Sequence, residues 1–119
     1  MHFVDVAATR EIHAEWWPEG ETVSLRPFTW LDEQRISERS TTVDRSDPDN
    51  VLVQVDNTAW NEARLDLGVV DWTVSDAQGN TVPCTAANKR RLGRKDALFI
   101  LGEIQDLNKE RTADEQRSF

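Results

Sequence analysis

Thr58-Ala-Trp60-Asn-Glu-Ala-Arg-Leu65-Asp-Leu-Gly-Val-Val70-Asp-Trp72-Thr-Val74 is the stretch on which the fold turns, and Asp76-Ala-Gln-Gly79-Asn80, Val82-Pro83 and Thr85 punctuate the chain after it. Trp60, Ala63, Leu67 and Val70 recur at helical spacing, and Leu65, Val69 and Trp72 widen the same apolar stripe, so the spacing predicts an amphipathic helix over 58–74. Asn57 or Thr58 is suited to cap its first free amides. Gly79-Asn80 supplies backbone freedom for a turn, Pro83 delays any new helix, and Thr85 can cap a short helix running to about Leu92, with Gly93 ending it. A further helix from about Lys95 to Lys109 carries Ala97, Leu98, Ile100, Leu101, Ile104 and Leu107 on one broad face. Gly68 and Gly102 each cost a helix about 1 kcal/mol relative to Ala, which points to close helix crossings at both.

The amino-terminal half reads as strands. Ile12, Ala14 and Trp16 alternate with His13, Glu15 and Trp17, and Pro18-Glu-Gly20-Glu turns the chain into Val23 and Leu25, a β-hairpin. Trp30 to about Arg39 is a helix of thin apolar content, suited to the surface of the sheet, with Thr29 as a cap three residues before Asp32. Thr41 to Val43 and Val51 to Val55, separated by Ser46-Asp-Pro48-Asp-Asn50, form a second hairpin. The fold predicted is α+β: two β-hairpins form a small antiparallel sheet packed by C-terminal α-helices, with the Trp60 to Trp72 helix central. The 119 residues make a single domain, and the polar segment 110–119 is expected to fray.

Charge narrows the partners. Fourteen Lys and Arg against 22 Asp and Glu leave a net charge of −8, which opposes nonspecific binding to nucleic acid or to an anionic membrane surface. No run of about 18 apolar residues and no signal-like opening is present, so neither membrane insertion nor export is expected. A single cysteine, Cys84, excludes an internal disulfide and reads as a small buried thiol, since no basic partner accompanies it. His2 and His13 stand without ligands at metal spacing, and Asp56, Asp66, Asp71 and Asp76 fit caps and solvated faces better than acid–base pairs. No catalytic, cofactor or metal site is predicted.

Partner contacts are the remaining function class. Five tryptophans are many for this length; adjacent Trp16 and Trp17 would point to opposite faces of a strand, so one could face a partner. The basic run Lys89-Arg90-Arg91 with Arg94-Lys95 suits the end of the preceding helix and sits less favourably at the start of the next, which leaves it able to meet an acidic partner. Trp17, Trp30, Arg90, Arg91 and Arg94 are the candidate partner-binding residues.

The string Ala14-Glu-Trp-Trp-Pro-Glu-Gly-Glu-Thr-Val-Ser-Leu-Arg-Pro-Phe-Thr-Trp30, with Asn61-Glu-Ala-Arg-Leu65, Val70-Asp-Trp72 and Leu92 leading into Leu101 to Leu107, resembles the small tail-gene proteins of long-tailed bacteriophages, and among them the tail assembly chaperones. The likeness spans about residues 10 to 108 through short motifs. It implies a nonenzymatic protein of the host cytoplasm, able to form a homo-oligomer, that holds the aggregation-prone tape measure protein until tail tube protein polymerises around it. It carries over no catalytic or cofactor residue. The alternative it leaves is a structural tail or head–tail junction component retained in the virion. The two hairpins depart from the mostly helical pattern of that family.

Overall fold

The structure, a computed structural model, describes Met1 and residues 3–117, with side chains to Lys109. In chain order the elements are β1 (Arg10–Ile12), β2 (Val23–Leu25), α1 (Trp30–Ser40), β3 (Thr41–Asp44), β4 (Leu52–Val55), α2 (Asn57–Gly68), β5 (Val69–Trp72), α3 (Ala86–Lys89) and α4 (Arg94–Arg117). The fold is α+β.

Both predicted hairpins form, but in separate sheets. β1 and β2 pair antiparallel and take β5 as a third strand, while β3 and β4 stand as a two-stranded ribbon. The third strand comes from the end of the segment whose spacing predicted helix. That helix stops at Gly68, where two consecutive β-branched residues begin and Val69 and Val70 favour extended backbone. Val23 lies opposite Trp72, Ser24 opposite Asp71 and Leu25 opposite Val69, so Val70 is the extra residue of a bulge. The bulge turns Val69 and Trp72 inward although they are three residues apart. A bulged strand therefore reproduces the spacing of a helix face, which is why the pattern misleads. Asp56, rather than Asn57 or Thr58, caps α2, its Oδ1 accepting from the Thr58 and Ala59 amides at 2.9 and 3.1 Å.

The core lies between the inward side of the three-stranded sheet and the helices. Ile12, Val23, Leu25, Val69 and Trp72 meet Ile36 of α1, Ala63 and Leu65 of α2, and Ile100, Leu101, Ile104 and Leu107 of α4. Trp60 and Val70, assigned by spacing to the same stripe, are exposed at 38% and 43%. At Gly68 α2 lies close against α4: a Cβ there would stand 2.8 Å from Ile104 Cδ1. Gly102 is different, with nothing within 4 Å of a Cβ, so no close crossing explains it.

Several local expectations hold. Thr29 caps α1 in a reciprocal capping box with Asp32, and Thr85 caps α3. Gly79 adopts φ +81° in a turn closed by the Ser75–Thr81 bridge, with Asp76 Oδ1 accepting from the Gln78 and Asn80 amides. α3 is shorter than predicted, ending at Lys89, and Gly93 precedes α4, its carbonyl accepting from the Ala97 amide. α1 packs mainly along α2 rather than on a sheet. The segment expected to fray from Glu110 continues the α4 helix through Arg117; Ser118, Phe119 and His2 lie outside the described residues.

Candidate functional site

Helices α1, α2 and α4 enclose an open cleft of about 380 Å³. Phe28 and Ile36, both buried, form its floor, and the half-exposed Trp60 ring forms a wall. Local chemistry holds these parts still. Phe28 follows Pro27, whose ring fixes the approach to α1, and its amide donates to Asn108 Oδ1 at 2.9 Å; Asn108 Nδ2 in turn donates to the Ile104 carbonyl at 2.8 Å. Arg26 and Asp32 form a bidentate pair at 2.8 and 3.0 Å that locks the start of α1. This pair, with the Thr29 amide, holds the Asp32 carboxyl down at about 2 against its ordinary 3.8.

Arg64 gives the cleft its charge. Its Nη2 donates to the Leu101 carbonyl at 3.2 Å, and burial lowers the pKa of its guanidinium from the ordinary value. Glu33 stands on the α1 side, and Trp30, 73% exposed, lies one turn before it on the same helix. An apolar floor with aromatic and guanidinium walls suits the side chains of an amphipathic segment, with Arg64 and Glu33 fixing direction.

The five residues singled out from sequence are not gathered in one place. Trp30 stands exposed at the first position of α1 and is not among the residues that line this cleft. Trp17 turns inward: its ring packs edge-on against Phe99 at 5.4 Å between centroids, and its Nε1 donates to Asp96 Oδ1 at 2.8 Å. Trp16 donates to the same oxygen at 2.7 Å, with Lys95 Nζ 4.2 Å from its ring centroid, so both indoles tie the β1–β2 loop to the start of α4. They lie in a turn rather than a strand, and the opposite-faces expectation does not apply. Arg90 meets acids of its own chain, Asp66 at 3.2 Å and Glu62 at 3.4 Å, and Asp66 also accepts from Arg39 at 2.8 Å. Arg90 and Arg94 do come together, both lining a second cleft beside Leu98 and Leu65, while Arg91 stands beside Trp72 and Leu92.

Lys89, in the same basic run, is buried, and its Nζ donates to the carbonyls of Asp66 and Val69 at 3.2 and 2.8 Å. It caps the end of α2, so the cation serves the dipole of a helix distant in sequence. Cys84 is half-buried, and burial pushes its thiol up, away from the thiolate a nucleophile needs. His13 Nδ1 lies 2.8 Å from the Glu21 carbonyl oxygen. Among the described residues no group of three or more His, Cys, Asp or Glu is arranged to hold a metal ion, and no helix is long and apolar enough to cross a membrane.

Phe28, Ile36, Arg64, Gln105 and Asn108 escaped the sequence reading because they come from four separate segments. The one signal available was Trp60, a large ring at the amino-terminal end of α2 among polar neighbours. Comparison with protein-family models, with curated proteins and with solved structures gives no match to this chain.

Proposed function

We propose that this chain is a nonenzymatic polypeptide-binding protein of the tail assembly chaperone kind, which holds an amphipathic helical segment of a phage tape measure protein in the α1–α2–α4 cleft before tail tube protein assembles. The observation that carries the reading is the cleft itself: an apolar floor at Phe28 and Ile36, open to solvent, between Trp60 and Arg64, with the exposed Trp30 one turn before Glu33 on α1. Such a cleft takes side chains spaced i, i+3/i+4, i+7 along one face of a helix, the pattern of helix-in-groove recognition. Tryptophan and arginine are the residues that most often dominate such binding energies. The −8 charge keeps the loaded complex dispersed while the apolar segment is covered. The resemblance in sequence motifs supplies the identity of the partner, and the host cytoplasm as the place of action.

Coexpression tests the proposal. The tape measure protein should move from the pellet to the soluble fraction and copurify with this chain. Trp60→Ala combined with Trp30→Ala should abolish the transfer while leaving the far-ultraviolet circular dichroism unchanged. If transfer is unaffected by these substitutions, the cleft is not the site. If no transfer occurs and the protein is instead stoichiometric in purified particles, the chain is a structural tail component.

A further inference from the structure

Arg64 is a half-buried cation with no carboxylate partner among the described residues. Its Nη2 donates to the Leu101 carbonyl at 3.2 Å, which engages one of the several N–H donors a guanidinium carries. Other arginines of the chain are placed differently: Arg26 meets Asp32, Arg39 meets Asp66, and Arg90 meets Asp66 and Glu62. Glu33 lines the same cleft as Arg64, yet no ion pair joins the two. A charge drawn out of water is normally paired, and 22 acidic residues against 14 basic ones leave this chain no shortage of acids. The bond to Leu101 helps tie α2 to α4, but it leaves the guanidinium of a cleft-lining residue without a counter-charge.

We infer that Arg64 is the specificity-determining residue of the cleft, and that the segment the cleft accepts carries an aspartate or glutamate within one helical turn of the apolar side chain seated on Phe28 and Ile36. This rests on the proposed reading of the cleft as a polypeptide-binding site and adds the chemistry of what it selects. The planar fork of a guanidinium matches a carboxylate through two parallel hydrogen bonds. Arg64 is already held by the Leu101 carbonyl, so little side-chain freedom is lost when the acid arrives. The apolar floor and the cation line one cleft, so the partner groups that meet them must be neighbours on one helical face, three or four residues apart.

Burial decides between the two charges of the cleft. Glu33 is exposed, and a pair formed with it would be solvated and weak. Arg64 has already given up part of its hydration, so an incoming carboxylate gains more from it than from a cation in open water. The carboxylate loses water as well, but the cleft is open and leaves it partly hydrated. The net −8 repels an acidic segment at a distance; beyond about 8 Å physiological salt screens that repulsion, while the contact pair is screened much less.

Peptides of about 20 residues, long enough for several helical turns, tiled across the tape measure protein and titrated against the full chain by fluorescence anisotropy, test this. Peptides that bind should carry an acid three or four positions from a large apolar residue. Exchanging that acid for its amide keeps the shape and removes the charge, and should weaken binding about 10- to 100-fold. Against Arg64→Gln the same exchange should matter by less than about threefold, because the counter-charge is already gone. Arg64→Lys, which keeps the charge without the fork, should fall between the two. The acid is changed on the peptide, so the first comparison uses the unaltered chain and holds whether or not the Arg64 variants fold, which circular dichroism reads. Equal binding of acid and amide peptides overturns the inference and leaves the cleft as a polypeptide site, as does an acid preference undiminished in a folded Arg64→Gln. Absence of binding by every peptide also overturns it, and the proposed function then stands or falls on coexpression.

Discussion

Gly68→Ala tests how tightly α2 and α4 are locked together. The added methyl would lie 2.8 Å from Ile104 Cδ1, 3.2 Å from Ile104 Cγ1 and 3.3 Å from Phe28 Cζ, where carbon atoms prefer about 3.5–4.0 Å. The tip of an isoleucine can often swing aside, but Ile104 is fully buried and Phe28 closes another side. Overpacking of this kind costs about 1–3 kcal/mol. Alanine recovers up to about 1 kcal/mol of that through helix propensity, and less at the final residue of a helix. The net expectation is a destabilisation of about 1–2 kcal/mol, read as a lowered urea midpoint with unchanged slope.

A double-mutant cycle isolates the cause. Ile104→Val removes the Cδ1 atom and by itself costs about 1 kcal/mol. Together with Gly68→Ala it should cost about 1 kcal/mol less than the two singly, because the deleted atom is the one the methyl strikes. Gly102→Ala is the control: with open space around its Cβ, the same exchange should stabilise by about 0.5–1 kcal/mol. An unchanged or raised midpoint for Gly68→Ala, or strict additivity with Ile104→Val, would refute the crossing argument.

Trp72 is buried, and its Nε1 donates to the Val82 carbonyl at 2.7 Å; Trp72→Ala should cost about 3–5 kcal/mol and Trp72→Phe, which keeps most of the ring but orphans that carbonyl, about 1–3, both measured by denaturant unfolding. The depressed Asp32 carboxyl contributes stability present above its unfolded value of 3.8 and lost as pH falls towards about 2. Asp32→Asn should therefore cost about 2 kcal/mol at neutral pH, a gap that narrows on acidification and that thermal melts across the acid range would read; a constant gap would contradict the ion-pair account. Asp96→Ala removes the acceptor shared by Trp16 and Trp17, so tryptophan emission should shift to the red and stability fall by about 1–3 kcal/mol; unaltered emission would count against the tie.

Local chemistry was legible in the sequence where a residue acts on its immediate neighbours. Thr29 with Asp32, Thr85 and the Asp76 to Asn80 turn could be read because each satisfies amides within four residues of itself. The end of α2 could not. Leu65, Val69 and Trp72 fit one helical face, and the same inward set arises when a helix stops at Gly68 and a bulge at Val70 realigns the strand. Only the pairing with β2 separates the two. Nor does alternation say whether two hairpins share a sheet: Val23 and Leu25 are buried while Val53 and Val55 are exposed, with the same two-residue period. Of the cleft's lining, Trp60 was read from sequence as part of the core stripe of its helix, and none of the five residues singled out for partner binding lines it. Arg90 was legible as a cation, but its acids come from α2 and are brought to it by the fold.

The ribbon and the cleft are joined through the same two helices. α1 supplies Glu33 and Ile36 to the cleft and runs directly into β3; β4 runs through Asp56 into α2, which supplies Trp60 and Arg64. Main-chain continuity is reinforced at the root, where the Asp56 amide donates to the Ser40 carbonyl at 2.7 Å. A displacement of the ribbon is therefore passed to both helices at once, and with them to Glu33 and Ile36 on one side of the cleft and Trp60 and Arg64 on the other.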